Sequence, residues 1–490
     1  MFHVQYHGYV SIALWEYLLG VFYLVIIYAF FARRKNVAIK QNPEYKYFLW
    51  GLYAKIFGGV VFSLIYFYYY KGGDTISYFY SAVSLSKLAV LNPIHYLDVV
   101  LGEAAEHKRE YFNEQIGYPY RYMYFDPRTF LLIRMVSPIA LISLNSYLIS
   151  TLIIAGISYI GVWKCYRTFV AYYPYMMDKF AIAFLFMPSI IFWGSAILKD
   201  TFTFSATCWF VHALDELYFK RRNVIGNIVA IVICSTIIII IKPYIFMVLF
   251  PVSLLWIFHS RMSRIKSVLV KFIVLPIGAI MVVVFTVYAL QKLEDSLDKF
   301  SMDKALKTIE VAQDDLTRAD AYGSNYFEIG ELDGTWASVL SKFPIAVNAA
   351  LFRPYLWESR TVVIAISGLE NLWILFLTVF TITKVGLFLP RAMFGESRLM
   401  FCLLFALSFA FVVGVTTPNF GALVRFKIPM IPFFISAMYL LRFLADRKRA
   451  TERNNLRFSL APYKNGDPLR GNAAAEVGKK AGYRKRSFTP

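Results

Sequence analysis

The run NVIGNIVAIVICSTIIIII, residues 223–241, holds 19 residues and no charged side chain. Lys220-Arg221-Arg222 precede it and Lys242 follows it. As an α-helix it would span about 29 Å, close to the hydrocarbon thickness of a bilayer. Inside hydrocarbon every backbone polar group must be bonded within the segment, and a helix does this. Working outward, apolar segments recur at 11–31, 48–69, 129–145, 146–163, 180–198, 201–219, 244–260, 267–290, 365–385, 398–416 and 424–444. The 490-residue chain is 58% hydrophobic and 17% charged, where a soluble domain carries about 25% charged residues. Mean hydropathy is +0.54. The expected fold class is all-α: a polytopic helical membrane protein.

Charge orders the segments. The connector 32–47 carries Arg33, Arg34, Lys35, Lys40 and Lys46, which places it on the cytoplasmic side. The N-terminus is then outside. Segment 129–145 is short and holds Arg134 and Pro138. If it only enters the membrane as a re-entrant helix, KCYRTFVAYYPYMMDK (164–179) falls inside, as Lys164, Arg167 and Lys179 favour. Downstream, KRRN (220–223), HSRMSRIK (259–266), the loop around Lys384, Arg391 and Arg398, and the tail then also fall inside. This threading gives about 11 transmembrane helices (10–12), N-out and C-in. Twelve spans with one misplaced loop is the alternative.

Residues 1–445 form the integral membrane domain, with external loops at 70–128 and 291–364. Each loop carries a helix-like run. One is YLDVVLGEAAEHKREYF (96–112). The other is amphipathic, with Leu293, Leu297, Phe300, Leu306 and Ile309 at helical spacing. Residues 291–335 hold 11 Asp/Glu against 5 Lys/Arg. From Arg442 to Pro490 there are 13 Lys/Arg against 4 Asp/Glu, a net of +9. Residues 446–490 are read as a basic, disordered cytoplasmic tail facing anionic lipid. The net charge of +20 therefore follows the positive-inside rule and does not indicate nucleic acid. The first ten residues lack Lys and Arg, so no signal-peptide n-region is expected. Cys165, Cys208, Cys234 and Cys402 form no C-x-x-C pair and no disulfide framework.

Five polar features fall on the outer side in this threading: YYYKGGDTISYFYSA (68–82), Lys199-Asp200, Lys242-Pro243-Tyr244, LFRPYLWESR (351–360) and TTPNFGALVRFKIP (416–429). Each also has a plain structural reading. Asp200 caps a helix while Lys199 snorkels. Lys242 ends a helix before Pro243. Arg425 and Lys427 snorkel at the interface. Glu358 and Arg360 are solvated, and Asp74 caps a helix after Gly72-Gly73. Together the features describe a site. Lys199, Lys242, Arg353 and Arg425 form a cationic pocket at headgroup level, suited to phosphate or pyrophosphate. Asp74 supplies a carboxylate able to act as general base on a hydroxyl. A phosphate leaving group beside a carboxylate describes glycosyl transfer from a polyprenyl-phosphate carrier.

Missing motifs narrow the chemistry. There is no P-loop, no H-E-x-x-H, no G-x-S-x-G elbow and no strict D-x-D run. The six histidines do not cluster as ligands. No metal site and no cofactor are expected.

Asp74, Tyr78 and Ala82 reproduce a D-x-x-x-Y-x-x-x-A pattern. It resembles the first external loop of GT-C glycosyltransferases, which use lipid-phosphate sugars. PSIIFWGSAILKDTFTFSATCWF (188–210) and NFGALVRFKIPMIPF (419–433) resemble bacterial membrane proteins of surface-polysaccharide synthesis, including O-antigen and exopolysaccharide polymerase-like proteins. The likeness covers about half the chain, in patches. It implies an undecaprenyl-phosphate-linked donor, an outward-facing site in the bacterial inner membrane, and partners in a polysaccharide-assembly system. Asp74 would be the base, and Lys199, Arg353 and Arg425 would hold phosphate. Lys242, Asn419 and Tyr78 join them as expected substrate contacts, with Asp200 and Lys427 secondary. In the family the acidic motif usually follows the first span, whereas here it follows the second, and the Asp has no acidic neighbour. A transporter or flippase of lipid-linked saccharide is the rival reading, kept open by Glu16, Lys55 and Glu370 inside spans. A non-catalytic membrane subunit is the third.

Overall fold

The computed structural model describes residues 5–6, 10–262, 302–316, 325–330 and 332–460. The apolar segment at 267–290, Leu293, Leu297 and Phe300, and the tail beyond 460 lie outside these residues. The chain divides into two compact units, Met1–Leu441 and Arg442–Pro490.

In the first unit, α1 (Leu14–Ala38) is followed by α2 (Phe48–Leu64), which ends in a π turn at Ile65–Tyr69. Next come α3 (Asp74–Leu91), α4 (Pro93–Leu101), α5 (Arg121–Phe125), α6 (Pro127–Ile142) and α7 (Tyr147–Tyr172). Then follow α8 (Met177–Leu185), α9 (Pro188–Trp193), α10 (Lys199–Leu214, with a π turn at Asp215–Lys220), α11 (Val224–Ile241) and α12 (Pro243–Met262). The later helices are α13 (Met302–Leu316), α14 (Trp336–Ser341), α15 (Phe343–Phe352), α16 (Val362–Val385), α17 (Leu389–Gly395), α18 (Ser397–Thr416), α19 (Phe420–Phe426) and α20 (Ile431–Leu460). In the second unit, the described residues continue α20 past the boundary read at 445, so residues 446–460 are helical.

The protein is a helical membrane protein. Among the described residues seven helices are long and apolar enough to cross a bilayer, or eight if α19 and α20, bent by 65°, form one span. α1 and α11 leave Leu18, Val25, Phe30, Ile225 and Val232 exposed, as lipid-facing helices do. In contrast, α7 is mostly buried, packed against α1, α2, α8 and α10. Segment 424–444 is divided between α19 and α20, and two further apolar segments are not single long helices. Segment 129–145 is the 16-residue α6, started by Asp126 and Pro127. Segment 180–198 is divided by Met187-Pro188 into α8 and α9, and 194–198 are non-helical.

The first long loop contributes α3 to the core. α3 buries Ile76, Tyr78, Phe79, Ala82, Leu85 and Leu88, which pack with Phe130, Ile133 and Val136 of α6. Its hydropathy is low because Ser77, Ser81, Ser84 and Ser86 interleave the apolar positions. Ser81 Oγ bonds back to Ser77 O at 2.9 Å, so its hydroxyl needs no water. The helix-like run 96–112 is broken rather than continuous. α4 ends at Leu101, and Lys108 folds back onto Asp98 at 2.8 Å against Gly102. In the second loop, α13 lies against α18, with Gln313 Nε2 donating to Val415 O at 2.9 Å.

Close helix crossings depend on missing side chains. A Cβ on Gly58 would lie 2.0 Å from Ile191 O, and one on Gly161 2.3 Å from Ser205 O. These glycines let α2 meet α9, and α7 meet α10, backbone to backbone. Gly161→Val is expected to cost about 1–3 kcal/mol by overpacking. The check is a lower thermal unfolding midpoint in detergent; an unchanged midpoint would contradict the crossing.

Candidate functional site

Five chain segments meet where α9 gives way to α10. Leu198 is extended and makes no side-chain cap, so α10 begins at Lys199 with Asp200 in its first turn. A carboxylate there is favoured by the helix dipole. Its two oxygens serve distant partners: Lys242 Nζ lies 2.5 Å from Oδ1 and Arg425 Nε 2.5 Å from Oδ2. Asp200 does not act as the N-cap. It is the buried anion between two cations, with 3% of its side chain exposed against 8% for Lys242 and 17% for Arg425. Burial pushes the Asp200 carboxyl up, but Lys242 and Arg425 outweigh that and hold it below the usual carboxylate range.

Arg425 also reaches outward. Its Nη1 donates to Asp74 Oδ2 at 3.1 Å, and the Asp74 side chain is 52% exposed. The guanidinium thus bridges a buried and an open carboxylate, a task suited to its planar fork. Asp74 is held there by backbone. Gly72 and Gly73 have φ of 153° and 107°, and Gly73 is the residue from which α3 starts. A side chain at Gly73 would press on the Tyr66 ring at 3.0 Å. Tyr78, one turn along α3, stands beside Arg425 and Asp74.

Lys199 completes the group. Its Nζ bonds Thr129 Oγ1 at 2.6 Å, lies 3.5 Å from Asp126 Oδ2 and stands 5.8 Å from the Tyr78 ring centre. Asp126 also caps α6 through the Thr129 backbone N–H at 3.1 Å. The sequence reading missed Asp126 and Thr129. The Asp-Pro-x-Thr start of α6 was legible as a helix N-terminus, but nothing in it points to Lys199.

The structure therefore brings together Asp74, Tyr78, Lys199, Asp200, Lys242 and Arg425. The other three expected residues have other partners: Asn419 is the N-cap of α19 and Lys427 its C-cap, and Arg353 lies outside that helix. Asn419 Oδ1 caps that helix through Gly421 N at 3.0 Å and Ala422 N at 3.2 Å. Arg353 Nε is bonded to Glu358 at 3.0 and 3.1 Å, and its guanidinium lies over Phe327 and Phe420 at 4.8 and 5.2 Å. Lys427 Nζ, buried, bonds Asn371 Oδ1 at 2.6 Å and Arg353 O at 3.1 Å. The first group is balanced in formal charge: Lys199, Lys242 and Arg425 face Asp74, Asp126 and Asp200. Lys242 is spent on Asp200 and on the Phe426 ring, 4.1 Å away. The outward polar atoms are those of Asp74, Arg425, Lys199 and Asp126.

An apolar groove of about 540 Å³ runs between α2, α9 and α16, lined by Phe57, Val61, Tyr70, Trp193, Val362 and Ile366 among others. Tyr66 stands next to the groove residues Tyr70 and Trp193. Its ring lies 6.4 Å from Trp193, and its hydroxyl is within electrostatic reach of Arg425 and Asp74. Of the charges in spans, Glu16 accepts from Ala13 N at 2.9 Å and from Ser146 Oγ, and Glu370 accepts from Ser189 N and Oγ at 2.7 and 2.6 Å. Lys55 Nζ donates to Gly194 O at the end of α9. Among the described residues no group of three or more His, Cys, Asp or Glu could hold a metal ion. No protein-family model, curated protein or solved structure matches the chain.

Proposed function

We propose that the protein transfers or polymerises saccharide from a polyprenyl-phosphate-linked donor at the extracytoplasmic membrane face, in cell-surface polysaccharide synthesis. It would be a GT-C-like glycosyltransferase of a bacterial inner membrane, with eleven spans, N-out and C-in, and other members of an assembly system as partners. One observation carries the reading: Asp74, Arg425 and Lys199, each from a different chain segment, form a charged group beside Tyr66, whose ring neighbours Tyr70 and Trp193 in the wall of an apolar groove. A substrate with a long hydrocarbon tail and an anionic head matches that pairing. The acceptor oxygen forms a bond to the sugar C1 as the bond from C1 to the phosphate oxygen breaks. Asp74 takes the acceptor proton, and Arg425 and Lys199 hold the departing phosphate.

Purified protein with polyprenyl-phosphate and polyprenyl-pyrophosphate sugars tests it. Wild type should form glycosylated product, and Asp74→Asn should lose about 10²–10⁴-fold in rate. Equal rates in both would remove the assigned role.

A second reading, transport of lipid-linked saccharide, draws on one observation. α8, α9 and α10 are separated by a proline break and the non-helical stretch 194–198, and buried Lys55 bonds into that stretch. Discontinuous helices with an ionisable group are a transporter device. Movement of a lipid-linked sugar across sealed vesicles without product would favour it.

A further inference from the structure

A second polar cavity lies at the other end of the bundle. α7 shows the separation: Tyr147 at its start bonds Thr75, next to Asp74, at 2.9 Å, whereas Thr168 near its end lines this cavity. The offset of 21 residues from Tyr147 to Thr168 corresponds to about 31 Å of helix. The cavity holds about 330 Å³ between the α1–α2 connector, the ends of α7 and α10, and the start of α8. Asn42, Arg167, His212, Glu216, Lys220 and Arg222 are among its walls.

Its donors are positioned and only partly used. Arg167 bonds Glu44 through Nε at 3.0 Å and Asn42 through Nη2 at 3.3 Å, and Nη1 takes no part in these bonds. His212 Nδ1 is engaged with Thr168 Oγ1 at 2.8 Å, leaving Nε2 outside that contact. Lys220 is fixed by Glu216 and Asp215 at 2.7 and 2.8 Å. Arg222 is exposed and makes no ion pair among the described residues. Three cations and an imidazole thus stand with Glu44, Glu216 and the buried Asp215 behind Lys220. The surrounding segments add Arg33, Arg34, Lys35, Lys40, Lys46, Lys164 and Lys179 against Asp178, so the field at this end is positive.

We propose that this cavity binds a phosphate group, carried by an anionic phospholipid or as free phosphate, on the face opposite the Asp74 site. Basic pockets between membrane helices are suited to such headgroups. Arg167 and Arg222 supply the guanidinium contacts, with Lys220 as a fixed charge behind them. The proposal does not depend on glycosyl transfer.

The test uses full-length protein in two arms. In the first, protein reconstituted with phosphatidylglycerol or phosphatidylcholine is extracted into detergent, and retained lipid is read by native mass spectrometry. In the second, inorganic phosphate binding is measured by equilibrium dialysis at fixed ionic strength. Arg222→Gln, chosen because the residue is exposed, and Arg167→Gln are compared with Arg33→Gln, an exposed control at the same end. Loss of one charge-assisted contact should lower affinity about tenfold in Arg222→Gln, with little change in the control. Selective phosphatidylglycerol retention identifies the lipid source, and phosphate binding alone identifies the free ion. Binding in neither arm, or equal loss in the Arg33→Gln control, overturns the proposal.

Discussion

Asp200→Ala is expected to destabilise the protein by about 3–5 kcal/mol, the usual cost of removing one partner from a buried ion pair. The carboxylate is 3% exposed and faces Lys242 Nζ and Arg425 Nε, both at 2.5 Å. Without it, Lys242 stays buried under the Phe426 ring with no counter-ion. Arg425 keeps Asp74. The double change Asp200→Leu with Lys242→Met removes both charges and fills the space with hydrocarbon. It should therefore be more stable than Asp200→Ala. Unfolding midpoints in one detergent give the comparison. If Asp200→Ala melts like wild type, the pair does not hold the turns of α9–α10 and α11–α12 together.

The second large effect concerns Arg425. Arg425→Lys keeps the charge, yet it should lower the proposed glycosyl transfer by about 10²–10³-fold, the loss typical of a removed transition-state donor. One ammonium cannot satisfy Asp200 at 2.5 Å and Asp74 at 3.1 Å with the geometry of a planar fork. The buried Asp200 should win it, and Asp74 is then left unoriented. A rate fall at unchanged unfolding midpoint supports this division of labour. If Arg425→Lys retained full rate, bridging would be irrelevant and charge alone would suffice.

The membrane class was legible because uninterrupted apolar runs such as 223–241 have one physical solution. The bundle's interior was less so. α3 falls in a segment read as an external loop because its serines lower the hydropathy, although the Ser81 and Ser84 hydroxyls bond back to their own helix. The break at Met187-Pro188 was written in the sequence but is masked by the apolar residues on both sides. The group around Asp200 was legible because short turns between apolar runs force their polar residues to one side. Partner choice was not. Arg353 and Arg425 look alike in sequence, yet Glu358 takes the first and Asp200 and Asp74 the second. Asp126 escaped because its only sequence signal was that of a helix start.

α19 has a consequence for how its two ends move together. It is seven residues long, about 10 Å, too short to bend. Arg425 projects near one end, and at the other Pro418 O accepts from Phe327 N at 2.8 Å while Phe420 N donates to Asn325 O at 3.0 Å. A rod pinned at both ends transmits displacement. A displacement of the strap at 325–330 would therefore be carried to the guanidinium between the two carboxylates, and a ligand that drew that guanidinium outward would move the strap in turn.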